Sequence, residues 1–350
     1  MEEEVVRRRG WLTREAFLDY LGATNLIPGP NSTELAIHIG QGRAGWLGLL
    51  VAGTCFILPA AVVVTALAWA YVRLGALPAV AGVLYGVKPV VIAVIVQALW
   101  ALGRTALKSR GLVVLATVAT LAAALGVHEL AILALAGAVM ALGTRLLDGA
   151  KMGMTGAIAL TGSAAAGTAT GAAAVAPFGL WPLFAVFLKI GAVLFGSGYV
   201  LLAFLRADLV QRLGWLTERQ LLDAVAVGQI TPGPVFTTAT FIGYVLGGTP
   251  GAVVATVGIF LPAFVFVALS SPLVPRLRRS ATAGAVLDGV NVASLALMAV
   301  VTWELGRAAL VDPLTIVTAV VSVVLLVHFR INSAWLVLGG AVVGLMLRHG

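Results

Sequence analysis

Charged residues are scarce in this chain of 350 residues: they make up 10% of it, whereas hydrophobic residues make up 61%. A soluble domain carries about 25% charged residues. So few polar side chains could not cover the surface of a soluble fold of this size. The composition therefore excludes a soluble globular protein and favours a chain that has the lipid bilayer as its solvent.

Cysteines and metal-ligand patterns are also nearly absent. The single cysteine, Cys55, lies within an apolar run, which excludes an intrachain disulfide framework. The four histidines are scattered and do not have the spacing of a metal site. The sequence has no Walker motif, nucleophile elbow or zinc-protease motif. We therefore expect no metal or other cofactor, no ATP coupling within the chain, and no enzymatic activity.

Basic residues are not concentrated on one domain or tail. The net charge is +8, but Lys and Arg lie in short clusters between apolar stretches. Such clusters are typical of topology signals in membrane loops rather than of a nucleic-acid-binding surface. The first residues of the chain are charged and lack the apolar core of a cleavable signal peptide. We expect a multi-pass protein of the bacterial inner (plasma) membrane, with the lipid bilayer as a partner and no nucleic acid.

Long apolar segments are what the chain does contain. A membrane-spanning helix needs roughly 20 residues. Segments of that length are Trp46–Val72, Ala79–Leu102, Leu183–Leu205, Thr249–Pro272 and Ala281–Trp303. Shorter segments, predicted to form thin or partly re-entrant hairpins, are Gly111–Val127, Leu130–Leu147, Pro313–His328 and Asn332–Leu347. Together they predict an all-α polytopic membrane protein.

An internal repeat relates the two ends of the chain. Gly-Trp-Leu-Thr at 10–13 recurs at 214–217, and Pro-Gly-Pro at 28–30 recurs at 232–234. After a slip of one residue, Leu-Pro-Ala at 58–60 matches 261–263, and the match continues to residue 310. Such repeats are typical of transporters that rock one half against the other. We predict two homologous repeats, at 1–148 and 182–350, joined by a flexible Gly- and Ala-rich linker at 149–181.

The loops between the apolar segments predict that the two repeats are inverted. Lys and Arg favour the cytoplasmic side of a membrane. In the first repeat the more basic loop is Arg104–Arg110, whereas in the second it is the preceding loop, Arg276–Arg279. Both basic loops lie in the cytoplasm only if equivalent loops face opposite sides. This arrangement requires each Pro-Gly-Pro segment to enter and leave the membrane on the same side, as a broken, re-entrant helix.

The Pro-Gly-Pro segments cannot be uninterrupted helices, because proline removes amide donors and disfavours helix in the preceding residue. We expect a half-helix with a free amino end near the middle of the membrane, which suits a tetrahedral dianion. The alternative is a plain proline kink satisfied by neighbouring helices. The candidate substrate-binding residues are Asn25, Pro28, Gly29, Pro30, Asn31, Ser32 and Thr33 in the first copy, and Gln229, Pro232, Gly233, Pro234 and Thr237 in the second.

A few ionisable residues lie inside apolar segments, where a charge is costly and suggests a function. Lys88 is predicted to bind or gate the anion, and its repeat equivalent, Asn291, is a further polar candidate. The alternative for Lys88 is a structural ion pair with Glu34 or Asp288. Glu34, one turn after the first Pro-Gly-Pro, is a candidate proton-coupling carboxylate. His38 is interpreted as an interface residue.

These motifs resemble the chromate ion transporter family in its long, two-domain form. The resemblance rests on Asn-Leu-Ile-Pro-Gly-Pro-Asn-Ser-Thr-Glu at 25–34, on Phe-Leu-Lys-Ile-Gly at 187–191 and on Phe-Gly-Ser-Gly at 195–198. It implies a secondary transporter that exports chromate from the bacterial cytoplasm, with sulfate or a related oxyanion as a competing substrate. It also implies a Phe-Gly helix at the start of each repeat, which we expect the first repeat to lack.

Two other functions agree equally well with broken helices. One is an oxyanion channel, and the other is a proton-coupled carrier for oxyanion uptake. The sequence does not decide between chromate and sulfate as the dianion that binds. It also leaves open whether a second copy of the chain is a partner, in a homodimer.

Overall fold

The computed structural model describes residues 1–75, 77–151, 178–195, 198–231, 233–270 and 280–349. All regular structure in this part of the chain is helical, as predicted. Two π-helical segments, Glu3–Arg8 and Arg206–Arg212, and a 3-10 turn, Val235–Thr237, accompany the α-helices. The α-helices are α1 (Arg14–Thr24), α2 (Asn31–Leu74), α3 (Pro78–Ala106), α4 (Arg110–Ala124), α5 (Glu129–Lys151), α6 (Leu180–Val193), α7 (Leu201–Leu205), α8 (Glu218–Ile230), α9 (Thr238–Ser270), α10 (Ala281–Ala309), α11 (Pro313–Val327) and α12 (Ser333–His349).

The outer surface of the bundle is apolar. Helices α2, α3, α9 and α10 are long and apolar enough to cross a membrane, and several shorter apolar helices accompany them. Large side chains such as Trp46, Trp100, Trp303 and Trp335 are exposed on these helices. So much exposed apolar surface is unfavourable in water, whereas lipid solvates it, and helices satisfy their backbone groups internally. The fold is that of a polytopic membrane protein.

Helices α2 and α9 each fold back on themselves at one point. The backbone leaves helical geometry at residues 44–45 in α2 and at 247–248 in α9. The second residue of each pair is a glycine, with φ of 56° and 62°, a region that glycine adopts without steric cost. Thr240 and Thr256 therefore share a hydrogen bond of 2.7 Å. In a straight helix, sixteen residues would separate them by about 24 Å. Each helix thus has a short first arm (31–43 or 238–246) and a long second arm (46–74 or 249–270).

The first Pro-Gly-Pro segment is the tip of a helical hairpin, which we call the first hairpin (residues 14–43). Its two sides are α1 and the first arm of α2. The Tyr20 ring stacks on the His38 ring, with 5.7 Å between the ring centroids. At the open end, the Arg43 guanidinium lies 4.6 Å from the centre of the Trp11 ring. The chain therefore returns toward the end of the molecule from which it came.

The second hairpin (residues 218–246) has the same construction. Helix α8 begins with a capping box between Thr217 and Gln220. Near the tip, the backbone of Gly228 lies against the hydroxyl of Thr238, so the first arm of α9 runs back along α8. The tip comprises residues 231–234, of which Pro232 lies outside the described residues.

The prediction of one continuous span at Leu183–Leu205 is wrong. Helix α6 ends at Val193, Leu194 is extended, and the next helix that the structure describes, α7, begins at Leu201. Because Leu194 has left the helix, its carbonyl accepts a hydrogen bond of 2.7 Å from the N–H of Gly29. The break thus connects α6 to the tip of the first hairpin.

Most of the predicted linker at 149–181 lies outside the described residues, as does the basic loop Arg276–Arg279. Helix α5 extends to Lys151 and α6 begins at Leu180. Both predicted ends of the linker are therefore helical.

Helices at equivalent positions of the two halves have equal lengths. Helices α3 and α10 have 29 residues each, and α4 and α11 have 15 each. Helices α3 and α10 pack antiparallel: Gly103, near the end of α3, faces Leu295, whereas Gly306, near the end of α10, faces Ile92. Equivalent long helices thus run in opposite directions through the bundle.

The two halves are interlocked through their shorter helices. Helices α11 and α12 pack on α3, while α4 and α5 pack on α10. The closest approach is between glycines: Gly86 of α3 lies directly against Gly340 of α12. The equivalent contact places Gly289 of α10 against Ala136 of α5. Each half therefore supplies two helices to the long helix of the other.

Candidate functional site

A cavity of about 620 Å³ lies where the tips of the two hairpins approach each other. It brings together six of the predicted substrate-binding residues from three parts of the chain: Asn25, Pro30, Asn31, Ser32, Pro234 and Asn291. The other polar residues of its lining are Thr105 of α3, Lys108 in the loop after α3, and Asp288 and Ser294 of α10. The cavity is therefore polar on the side of the first tip and of these two helices.

The first tip directs the amino end of α2 at this cavity. Pro30 is extended, and the helix starts at Asn31. The first N–H groups of a helix have no partner inside it, and this end carries a partial positive charge. The Asn31 side chain donates a hydrogen bond of 2.8 Å to Asn25, which fixes both amides beside the cavity. These are the donors that an anion requires.

The second tip contributes little polarity. Val235 and Phe236 line the cavity beside Pro234, where the first tip has Asn31 and Ser32. The Thr237 hydroxyl is buried and donates to the Pro234 carbonyl (2.9 Å). Gln229 is outside the lining and accepts a hydrogen bond of 3.4 Å from the Tyr199 hydroxyl.

Lys108 supplies the positive charge of the cavity, a role that our reasoning from the sequence missed. Its Nζ lies 3.2 Å from a carboxylate oxygen of Asp288, and the two side chains are 64% and 41% exposed. The sequence alone identifies Lys108 only as part of a basic loop. The repeat does contain a signal for this role, because the residues equivalent to Lys108 and Asp288 are Val311 and Tyr85, which carry no charge. Neither Lys108 nor Asp288 therefore has a charged counterpart in the other half of the chain.

Lys88 lies elsewhere, in a buried ion pair. Its Nζ is 2.8 Å from Asp223 of α8, and the two side chains are 11% and 3% exposed. The Tyr71 hydroxyl donates a hydrogen bond of 2.9 Å to the same carboxylate. The partner is thus neither Glu34 nor Asp288, the two considered from the sequence. This cluster joins α3 and α2 to the second hairpin.

The other predicted residues of the first hairpin lie behind the cavity. Pro28 and Gly29 form the turn of the tip. Thr33 and Glu34 are fully buried, and the Glu34 carboxylate lies against the backbone of Gly29. Glu34 is therefore adjacent to the tip but does not line the cavity.

A second cavity, of about 730 Å³, contains more charged residues but no hairpin tip. Arg206 lies 2.7 Å from Glu218, and Arg212 lies 3.3 Å from Glu129. The carboxylates that hold these cations are more buried than Asp288, so the pairs are costlier to open than the largely exposed pair of Lys108 and Asp288. Within the described residues, no group of His, Cys, Asp and Glu side chains could hold a metal ion. The first cavity, with amides, hydroxyls and a lysine, is the better site for an anion.

A polytopic helical bundle with a polar cavity between two broken helices defines a membrane transport protein. The chain belongs to the chromate transporter family, whose model matches residues 1–142 and 181–345. Members of this family are transport proteins, so the chain is a transporter and not an enzyme. It is a multi-pass protein of the bacterial inner membrane.

Curated relatives match along most of the chain. A chromate transport protein of Cupriavidus metallidurans is 33% identical over 353 residues, covering 99% of this chain and 86% of the relative. A chromate transport protein of Pseudomonas aeruginosa is 34% identical over 88% of this chain and 75% of its own length. A probable chromate transport protein of Synechococcus elongatus is 30% identical over 93% and 83%. No solved structure matches the chain.

Proposed function

We propose that the chain is a secondary transporter that exports chromate from the cytoplasm, with sulfate or a related oxyanion as a second substrate. The observation that carries this proposal is the cavity that is lined both by the amino end of α2 and by Lys108, in the loop after α3. The relatives named as chromate transport proteins support the choice of chromate.

The cavity can supply what a dianion needs on leaving water, namely directed donors and a compensating charge. The donors are the backbone amides of Asn31 and Ser32, the side chains of these two residues, and the side chain of Asn291. The charge is that of Lys108, which is paired with Asp288. A largely exposed ion pair is worth only about 0–1 kcal/mol. The oxyanion therefore displaces Asp288 as the partner of Lys108 at little cost.

We propose that Lys88 acts as a gate and does not contact the anion directly. Lys88 and Asn291 occupy equivalent positions in the repeat, and Asn291 lines an open cavity. The equivalent region around Lys88 is closed by its ion pair with Asp223. If the halves are inverted repeats, they exchange conformations during transport. The region around Lys88 then opens, and its ion pair breaks, when the cavity around Asn291 closes.

Inverted topology remains part of this proposal and is supported by the antiparallel packing of α3 and α10. A two-fold axis in the membrane plane makes equivalent helices antiparallel, whereas an axis along the membrane normal would make them parallel. The cavity lies beside the loop that contains Lys108, which the excess of Lys and Arg assigns to the cytoplasm. We infer that the structure has its cavity open to the cytoplasm.

Topology is tested with reporter fusions in the Arg104–Arg110 loop and in the Arg276–Arg279 loop. Both reporters should be cytoplasmic. Reporters on opposite faces would replace the inverted arrangement with a parallel one.

Export of a dianion needs no ATP. A dianion that leaves a cell with a negative interior gains about 4.6 kcal/mol at 100 mV, twice the value for a single charge. Uptake against the same potential would require a coupling ion.

Transport is tested with the purified protein in liposomes, using labelled chromate and, separately, labelled sulfate. A carrier shows saturation and is stimulated by unlabelled substrate on the opposite side, whereas a channel shows neither. Protein-free liposomes are the control. An unsaturable flux without stimulation would replace the carrier with a channel, and the absence of flux would overturn the proposed function.

A further inference from the structure

A row of buried polar side chains follows one face of the first arm of α2. Glu34, His38 and Gln41 are spaced four and three residues apart, so they lie on the same face of the helix. Glu34 is 0% exposed and His38 is 3% exposed. Both Glu34 carboxylate oxygens, Nε2 of His38 and Oε1 of Gln41 lack a hydrogen-bond partner among the residues that the structure describes.

Hairpin packing does not explain these groups. An unsatisfied buried polar group costs about 1–3 kcal/mol. The second hairpin adopts the same fold without a carboxylate or an imidazole at these places. Glu34 corresponds to Thr238, and His38 corresponds to Phe241 or Ile242 on either side of the one-residue slip in the repeat. The polar row is therefore an addition to the first hairpin, and ionisable groups at such depth indicate a function.

The row connects the tip of the hairpin with its exposed end. Glu34 lies against Gly29, just behind the residues that line the cavity. His38 is one turn farther along and stacks on Tyr20. Gln41 is only partly buried, and the chain is exposed at Arg43. The three side chains thus mark a route from the cavity to one surface of the bundle.

We propose that Glu34 binds a proton that moves together with the oxyanion, and that His38 and Gln41 form its route to the surface. This inference rests on the proposed function and adds a coupling ion. With one proton per oxyanion, the net charge that leaves the cell is −1 instead of −2, so the membrane potential still drives export but half as strongly. A proton adds to one oxygen of the Glu34 carboxylate and makes it a neutral acid. On release, the proton passes to the imidazole of His38, and Glu34 becomes a carboxylate again.

The direction of coupling follows from electrostatics. An ionised Glu34 occupies the positive end of α2 and repels a dianion in the adjacent cavity. Protonation removes this repulsion, so the proton and the dianion each strengthen the binding of the other. The other titratable or charged residues on the elements packed against this arm are Glu3, Glu4, Arg7 and Arg8 on the N-terminal π-helical segment, Arg14, Glu15, Asp19 and Tyr20 on α1, Cys55, Tyr71 and Arg73 on the second arm, and Tyr244 on α9. Of these, Tyr20 contacts His38.

The experiment measures chromate and protons together in liposomes that contain the purified protein and a trapped pH-sensitive dye. For the wild type, net chromate uptake into liposomes without internal substrate should carry protons in the same direction, and its rate should fall by up to about tenfold per pH unit on the alkaline side. Glu34→Gln, a neutral mimic of the acid, should retain exchange, lose its extra dependence on pH and carry no protons with chromate. His38→Phe should slow proton movement more than exchange.

Glu34→Thr, which introduces the residue of the second hairpin, serves as the second variant if Glu34→Gln does not fold. Glu15→Gln, on the exposed side of α1, is the matched control and should behave as the wild type. Chromate itself takes up protons near neutrality, but this affects all variants equally. Net chromate uptake by the wild type without proton movement, or a Glu34→Gln variant that still couples, would overturn the proton site and leave the proposed function intact. No exchange by the wild type would overturn the proposed function itself.

Discussion

The two hairpins share a fold but differ in chemistry. Each has a Pro-Gly-Pro tip, a returning arm and a glycine-assisted reversal into a long helix. The first tip places Asn31 and Ser32 at the cavity, where the second places Val235 and Phe236. The polar side chains are therefore not needed to form a hairpin. We conclude that the shared residues specify the fold and that the unshared polar residues are the better candidates for function.

The largest effect is expected from removing Lys88, which forms an ion pair with the second hairpin through Asp223. Lys88→Ala leaves the carboxylate of Asp223 buried without its charge partner, which costs about 3–5 kcal/mol. We expect a lower melting temperature in detergent and severe loss of chromate transport normalised to protein amount. The double variant with Asp223→Ala should recover most of the stability but not the transport. Wild-type transport in Lys88→Ala would remove this residue from the gate.

The next largest effect is expected from replacing Lys108, a charged residue whose equivalent in the second half is uncharged. Lys108→Ala should raise the apparent constant for chromate by about 10- to 100-fold, since a hydrogen bond to a charged group is worth about 1.5–3 kcal/mol. Thermal stability should change little, because the side chain is exposed. Lys108→Arg is the control that preserves the charge. Asp288→Asn should lower the constant by removing a competitor for Lys108, and a rise instead would contradict that role.

A smaller effect is expected from exchanging equivalent residues between the tips. Asn31→Val removes a neutral donor worth about 0.5–1.5 kcal/mol and should raise the apparent constant by about 2- to 10-fold. Its counterpart, Val235→Asn, is the matched control and should leave the constant unchanged. Ser32→Ala should behave like Asn31→Val. Equal effects at both tips would show that the two hairpins bind the anion symmetrically.

The smallest effect on transport is expected at the feature that the two hairpins share, the reversal at a glycine. Gly45→Ala and Gly248→Ala both place a side chain at positive φ, and neither new Cβ meets an atom closer than about 4 Å. The cost is therefore conformational, about 1–3 kcal/mol for each variant. Differential scanning fluorimetry should show two similar small decreases in melting temperature. Markedly different decreases would mean that the reversals are not equivalent.

The helical architecture could be predicted because spanning length and hydropathy follow directly from the bilayer. The broken helices could be predicted because proline and glycine act locally. The reversals at residues 44–45 and 247–248 were missed, since Gly45 and Gly248 lie in glycine-rich stretches that also suit close helix packing. The break after Val193 was missed because Leu194 leaves the helix for a distant partner, the N–H of Gly29.

The candidate site was predictable in its tips but not in its charges. Asn25, Asn31 and Ser32 adjoin the Pro-Gly-Pro motif and lie together for local reasons. Lys88 could be identified as a candidate because it lies in the middle of an apolar segment. Its position in the segment does not indicate its partner, because Asp223 is 135 residues away in sequence. Lys108 was overlooked because a loop position suggests topology alone. Only the antiparallel packing of α3 and α10 brings it to the cavity.

The exchange of helices between the halves has a consequence for biosynthesis. Helix α3 enters the membrane early, yet Gly340, the partner of its Gly86, is made about 250 residues later, roughly 10 to 50 s at typical rates of synthesis. During that interval the glycine face of α3 is without its final neighbour. Helix α10, by contrast, finds α4 and α5 already in place. The packing of α3 is therefore completed only after the second half of the chain has been made, whereas α10 can pack on α4 and α5 as soon as it is inserted.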